Sequence, residues 1–83
     1  LDQKFLQAYF NRGILFIKEK SYKEAIIDFS KLIELKPDYS MAFYNRGIAE
    51  YYLGKKDIAC IDIKQAAKLG VPSAQAMYDK FCQ

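Results

Sequence analysis

The sequence predicts an all-α chain of two antiparallel helix–turn–helix repeats followed by one capping helix. Three observations carry this expectation. Tyr9-Phe10-Asn11-Arg12-Gly13 returns thirty-four residues later as Phe43-Tyr44-Asn45-Arg46-Gly47. At the same offset Ala25 falls on Ala59, Ile27 on Ile61, Asp28 on Asp62 and Leu35 on Leu69, so one supersecondary unit is used twice. Apolar residues recur at three- and four-residue steps within segments that Ser, Pro and Gly separate.

Helix one is expected from about Gln3 to Glu19, with Asp2 as its N-cap and apolar residues at Phe5, Leu6, Tyr9, Phe10, Ile14, Phe16 and Ile17. These residues cover two faces, and a lone surface helix needs only one stripe, so a second layer or a partner must meet the other. Gly13 inside this helix costs up to about 1 kcal/mol relative to alanine. Close approach of a second helix, with Ala25 as the matching small surface, would offset that, and Gly47 with Ala59 repeats the pair. Ser21-Tyr22-Lys23-Glu24 reads as a capping box for helix two. That helix turns Tyr22, Ala25, Ile26, Phe29, Leu32 and Ile33 to one side, and Pro37 ends it.

Asp38 is the expected cap of helix three, about Tyr39 to Leu53, which Gly54 closes in a left-handed turn. Helix four takes about Asp57 to Leu69, with Ile58, Ala59, Ile61, Ile63, Ala66 and Ala67 inward and Gly70 at its end. Pro72 opens a fifth helix carrying Ala74, Met77, Tyr78 and Phe81 on one side. Phe81 stands where the period would place a third glycine, so a ring blocks the approach of a further helix and the array ends there.

The spacing of Tyr9, Gly13, Ala25 and Pro37 resembles the tetratricopeptide repeat family. The resemblance covers residues 6–39 as one unit and 40–73 as a second, with a capping helix at about 72–82, in one domain spanning 1–83. Two departures mark the second unit: Val71 stands at the closing proline, with Pro72 one later, and Glu50 replaces the ring of Phe16. The resemblance implies a short right-handed α-solenoid in which the first helices of successive hairpins line a concave groove.

An 83-residue chain leaves room for one small domain of modest stability. A hydrophobic content of 52% places it among folded chains. The net charge of +3 is small, and basic residues are interspersed with acidic ones except at Lys18, Lys20 and Lys23, which argues against a nucleic-acid partner. No apolar run approaches the length of a membrane span. Cys60 and Cys82 read as reduced, buried thiols, Cys60 taking the core place of Ile26, and cytoplasmic placement follows from that reading.

Histidine is absent, and the acidic residues fit caps and helix surfaces, so no enzyme, metal site or cofactor is expected. Arg12 and Arg46 each have a matched aspartate; Asp28 is expected to pair with Arg12 within its hairpin or with Arg46 across the junction. What remains is binding. The groove implied by the resemblance would carry Phe10, Asn11, Ile14 and Ile17 from helix one. Helix three would add Met41, Tyr44, Asn45, Ile48, Tyr51 and Tyr52, and the capping helix Gln75 and Tyr78.

Such a face suits a protein or peptide partner with an apolar or amphipathic segment, the amides of Asn11 and Asn45 bonding its backbone. Self-association through the same apolar face, as a homodimer or by docking on the rest of a longer chain, is the alternative. Some members of the family clamp an acidic chaperone C-terminus with lysine, asparagine and arginine. Here only Asn45 matches that set; Phe10, Ile14, Gln75 and Asp79 stand at the other places, which argues for an apolar ligand instead.

Overall fold

In a computed structural model that describes residues 2–82, the chain forms five helices and, among the described residues, no strand. They are α1 (Gln3–Lys18), α2 (Tyr22–Leu35), α3 (Ser40–Tyr52), α4 (Lys56–Lys68) and α5 (Pro72–Phe81). Each helix packs on the next, so α1 with α2 and α3 with α4 make two hairpins, α3 joins them by lying on α2, and α5 lies on α4.

The helix ends follow the backbone's need to satisfy its orphan groups. Asp2 caps α1 as expected, its side chain accepting from the Lys4 amide at 2.8 Å. The capping box at Ser21 does not form. Its amide is already committed to the end of α1, donating to the Phe16 carbonyl while Lys20 donates to Ile17. This Schellman arrangement puts Lys20 in the left-handed region at φ 61°. The same two bonds recur after α3, around Gly54, and after α4, around Gly70, where glycine takes the left-handed turn. Asp38 does not cap α3 either; the helix starts at Ser40, and Asp38 pairs with Lys36 at 3.1 Å.

Both predicted close approaches exist, and in the first hairpin the nearest atoms belong to Phe29. A methyl group on Gly13 would lie 2.7 Å from the ring of Phe29, which is fully buried. One on Gly47 would meet Ile63 Cδ1 at 2.8 Å and the Ala59 carbonyl at 3.1 Å. The small residue on the first helix therefore makes room for the large side chain at position 29 or 63 of the second.

Leu6, Phe29, Leu32, Ala42 and Ala49 are among the buried residues of a core that runs from the first hairpin into α3. Ile63, Ala66, Val71 and Ala74 form a second, smaller cluster under α5. Ile58 and Ile61 do not point inward as expected. They lie on the outer side of α4, Ile61 being 69% exposed, and Ile27 takes the matching outer position on α2.

The cysteines differ most from expectation. Cys60 and Cys82 are joined in a disulfide, Cα atoms 5.7 Å apart, rather than lying as separate buried thiols. Cys60 is half-buried on the side of α4 that faces α5, and the end of α5 brings Cys82 beside it.

Candidate functional site

The twelve predicted groove residues fall into two groups. Phe10, Ile14 and Ile17 are half-buried and packed against the first core, the Phe10 ring lying 6.0 Å from Phe29 and 5.6 Å from Tyr39. Asn11 is exposed and accepts from Gln7 at 2.9 Å. Gln75 likewise donates within its own helix, to Asp79 at 2.9 Å. Asn45 is only 8% exposed, and its amide nitrogen donates to the Met41 carbonyl at 2.8 Å. One of the two hydrogens of this amide is thereby engaged inside α3.

The second group is more open. Met41, Tyr51 and Tyr52 are exposed, while Tyr44, Ile48 and Tyr78 are half-buried. Tyr52 stacks on Tyr22 of α2 at 5.2 Å and 16°, and Tyr51 lies 6.1 Å from Phe81 of α5. Ile48, Tyr51 and Tyr52 form one wall of a cavity of about 250 Å³. Ala59, Cys60 and Ile63 of α4 form its second wall, and Met77, Phe81 and Cys82 close it from the α5 side. Among the described residues no charged side chain lines it.

The sequence pattern points to three of these residues as groove members and misses the α4 and α5 walls. One signal bears on that place: Phe81 at the position of Gly13 and Gly47 marks where α5 meets the hairpin differently from α3.

The polar cluster of the two hairpins lies elsewhere. Arg12 grips the buried Asp28 through two hydrogen bonds of 2.8 and 2.7 Å, the pairing within the hairpin. Arg46 makes the same pair with Asp62 at 2.8 Å on both oxygens and adds Ser30 of α2 at 3.2 Å. Arg46 is the more enclosed, its side chain 21% exposed against 60% for Arg12. The hydrogen bond to its aspartate raises the pKa of each arginine, so both remain cations.

Glu50 departs from the expectation that acidic residues sit on surfaces or caps. It is 6% exposed, its Oε1 has no hydrogen-bond partner, and its Oε2 lies 3.9 Å from Arg46 Nε. Burial, then a hydrogen bond to Asp62 and the charge of Asp62, push the carboxyl up to about 8 against the opposing pull of Arg46 and Lys55. Among the described residues no group of three His, Cys, Asp or Glu side chains gathers as a metal ion would require.

Helical hairpins stacked at a thirty-four-residue repeat, with a further helix laid over the last, make this chain a short α-solenoid. A family model described as tetratricopeptide repeat matches residues 6–39. The chain is 32% identical over 77 residues to a heat shock protein sti1 homolog of Schizosaccharomyces pombe, covering 93% of this chain and 13% of that protein. It is 37% identical over 67 residues to tetratricopeptide repeat protein 4 of Homo sapiens, covering 76% and 17% of the two chains. A UDP-N-acetylglucosamine–peptide N-acetylglucosaminyltransferase of Giardia intestinalis is 35% identical over 69 residues, 83% of this chain and 5% of that enzyme. The chain thus spans less than a fifth of the length of these relatives. It belongs to the tetratricopeptide repeat family, and at that level it is a protein–protein interaction module.

Proposed function

We propose that the face built by α1, α3 and α5 receives an apolar or amphipathic segment of a partner protein, the chain acting as an adaptor or scaffold and not as an enzyme. The observation that carries this reading is the uncharged cavity beside the exposed rings of Tyr51 and Tyr52. Apolar surface of this kind on one side of a small chain marks a place where another chain binds. Phe10, Ile14 and Ile17 shape the near end of the groove, and Asn11, Met41 and Gln75 stand at its surface. The transferase among the relatives is matched over only 5% of its length. The units 6–39 and 40–73 with the cap at 72–82 are proposed to act as one domain. A cytoplasmic site loses the support it drew from free thiols, because Cys60 and Cys82 are joined.

A second reading, docking of another helical hairpin, rests on a different face. Ala42 and Arg46 of α3 lie on the side that meets α2, where Ala42 is fully buried and Arg46 bonds Ser30. Their counterparts thirty-four residues earlier are Ala8 and Arg12, and both are exposed.

Both readings are tested together by sedimentation and by fluorescence anisotropy with a library of labelled apolar peptides. A monomer that binds a peptide and loses at least tenfold in affinity on Tyr51→Ala supports the groove. A concentration-dependent oligomer that Tyr51→Ala leaves intact and Ala8→Arg dissolves supports hairpin docking instead.

A further inference from the structure

We infer that the cavity between α3, α4 and α5 is an anchor pocket for one aromatic side chain of the partner segment, an inference that rests on the groove reading above. The internal repeat shows why the space is there. Position 63 matches position 29, and the first hairpin carries a phenylalanine where the second carries an isoleucine. The Phe29 ring fills its place completely and touches Gly13, whereas Ile63 borders an open cavity. The last helix contributes the rest of the difference, since it brings Phe81 to the place where α3 has Gly47.

The chemistry of the walls selects the occupant. Aliphatic, aromatic and disulfide surfaces, with no charged side chain among the described residues, disfavour a charged side chain, whose desolvation they would not compensate. An apolar cavity of about 150 Å³ stays dry and takes benzene in a protein interior, so a space of about 250 Å³ has room for a phenyl or indole ring. An aromatic occupant gains more than an aliphatic one, because Tyr51 and Phe81 offer ring contacts at the mouth and Met77 offers sulfur.

The test uses the oxidised chain and two probes, N-acetyl-tryptophan amide and N-acetyl-leucine amide, followed by methyl NMR. Saturable shifts are expected at Ile48, Ile63 and Met77 and not at Ile14, with the tryptophan probe binding at least fivefold tighter. Ile63→Phe, which gives the second hairpin the residue of the first, should weaken the tryptophan probe at least tenfold. Because the added ring must share space with Gly47, Met77→Trp fills the cavity from the other wall, and far-UV circular dichroism verifies each fold. Equal binding of the two probes, no saturable shift, or full affinity in a folded filled variant would overturn the pocket. Probe binding with no peptide bound at any concentration counts against the groove reading alone. Peptide binding that neither filled variant changes removes the pocket and leaves the groove.

Discussion

The two hairpins share a sequence pattern but not a way of holding together, and the contrast shows what the pattern requires. In both, a glycine on the first helix admits a large side chain from the second, and an arginine on the first helix grips a buried aspartate on the second. The first hairpin completes its interior with Phe16 and Phe29. At the same two places the second has Glu50, a buried carboxyl with an unpartnered oxygen, and Ile63, which borders a cavity. A covalent tie between Cys60 and Cys82 then fastens the last helix over that weaker interior. The pattern thus fixes which helices touch, while the residues filling the contact decide how firmly.

The contrast breaks most visibly at the two large side chains. Phe29→Ala should cost about 4 kcal/mol, because a wholly enclosed ring leaves a hole its neighbours cannot close. Ile63→Ala should cost about 2 kcal/mol, at the low end for its type, since the site already borders open space. Urea titration of both variants decides the order, and equal losses would mean that the hairpins are packed alike.

Reduction comes next. Opening the Cys60–Cys82 bond, or making Cys82→Ser, should lower stability by about 3 kcal/mol through the freed loop. Hydrogen exchange should then quicken first in α5 and last in α1 and α2; a uniform change along the chain would contradict the division of labour drawn above.

The buried acid adds a pH dependence to the second hairpin. Glu50 titrates near 4.5 in the unfolded chain and at about 8 when folded, so the folded state holds the proton more tightly. Its contribution is full below pH 4.5, declines as pH rises and is gone above about 8, with a slope of at most about 1.4 kcal/mol per pH unit. Glu50→Gln should flatten urea midpoints between pH 5 and 8 relative to the parent. Parallel curves for the two proteins would show that another group carries the slope.

The smallest contrast is in the turns. Lys20 matches Gly54 in the repeat, yet takes the same left-handed conformation with a side chain. Lys20→Gly should therefore stabilise the chain by about 1 kcal/mol, measured as a raised melting temperature. A lower one would mean that the Lys20 side chain holds contacts worth more than its backbone strain.

Much of this architecture is legible in the residues because it depends on local spacing. Tyr9 and Phe43, Gly13 and Gly47, and Asp28 and Asp62 repeat at one interval, and from that interval follow the helix order, the close approaches and the arginine–aspartate pairs. Pro72 and Phe81 announce the last helix for the same reason. What escapes depends on juxtapositions that spacing does not encode. Cys60 and Cys82 meet only because α5 folds back over α4. Ser21 looks like a cap until its amide is found bonded to Phe16. Ile61 reads as core from its apolarity, although it lies on the outer side of α4. The cavity is the furthest from view, since it is made by what three helices fail to fill.

Arg46 binds Asp62 in its own hairpin and Ser30 in the one before, through hydrogen bonds that tolerate little rotation. Held flat by Asp62, the guanidinium reaches over the joint to Ser30, so a directional bond joins the two hairpins beside the oily contacts between them.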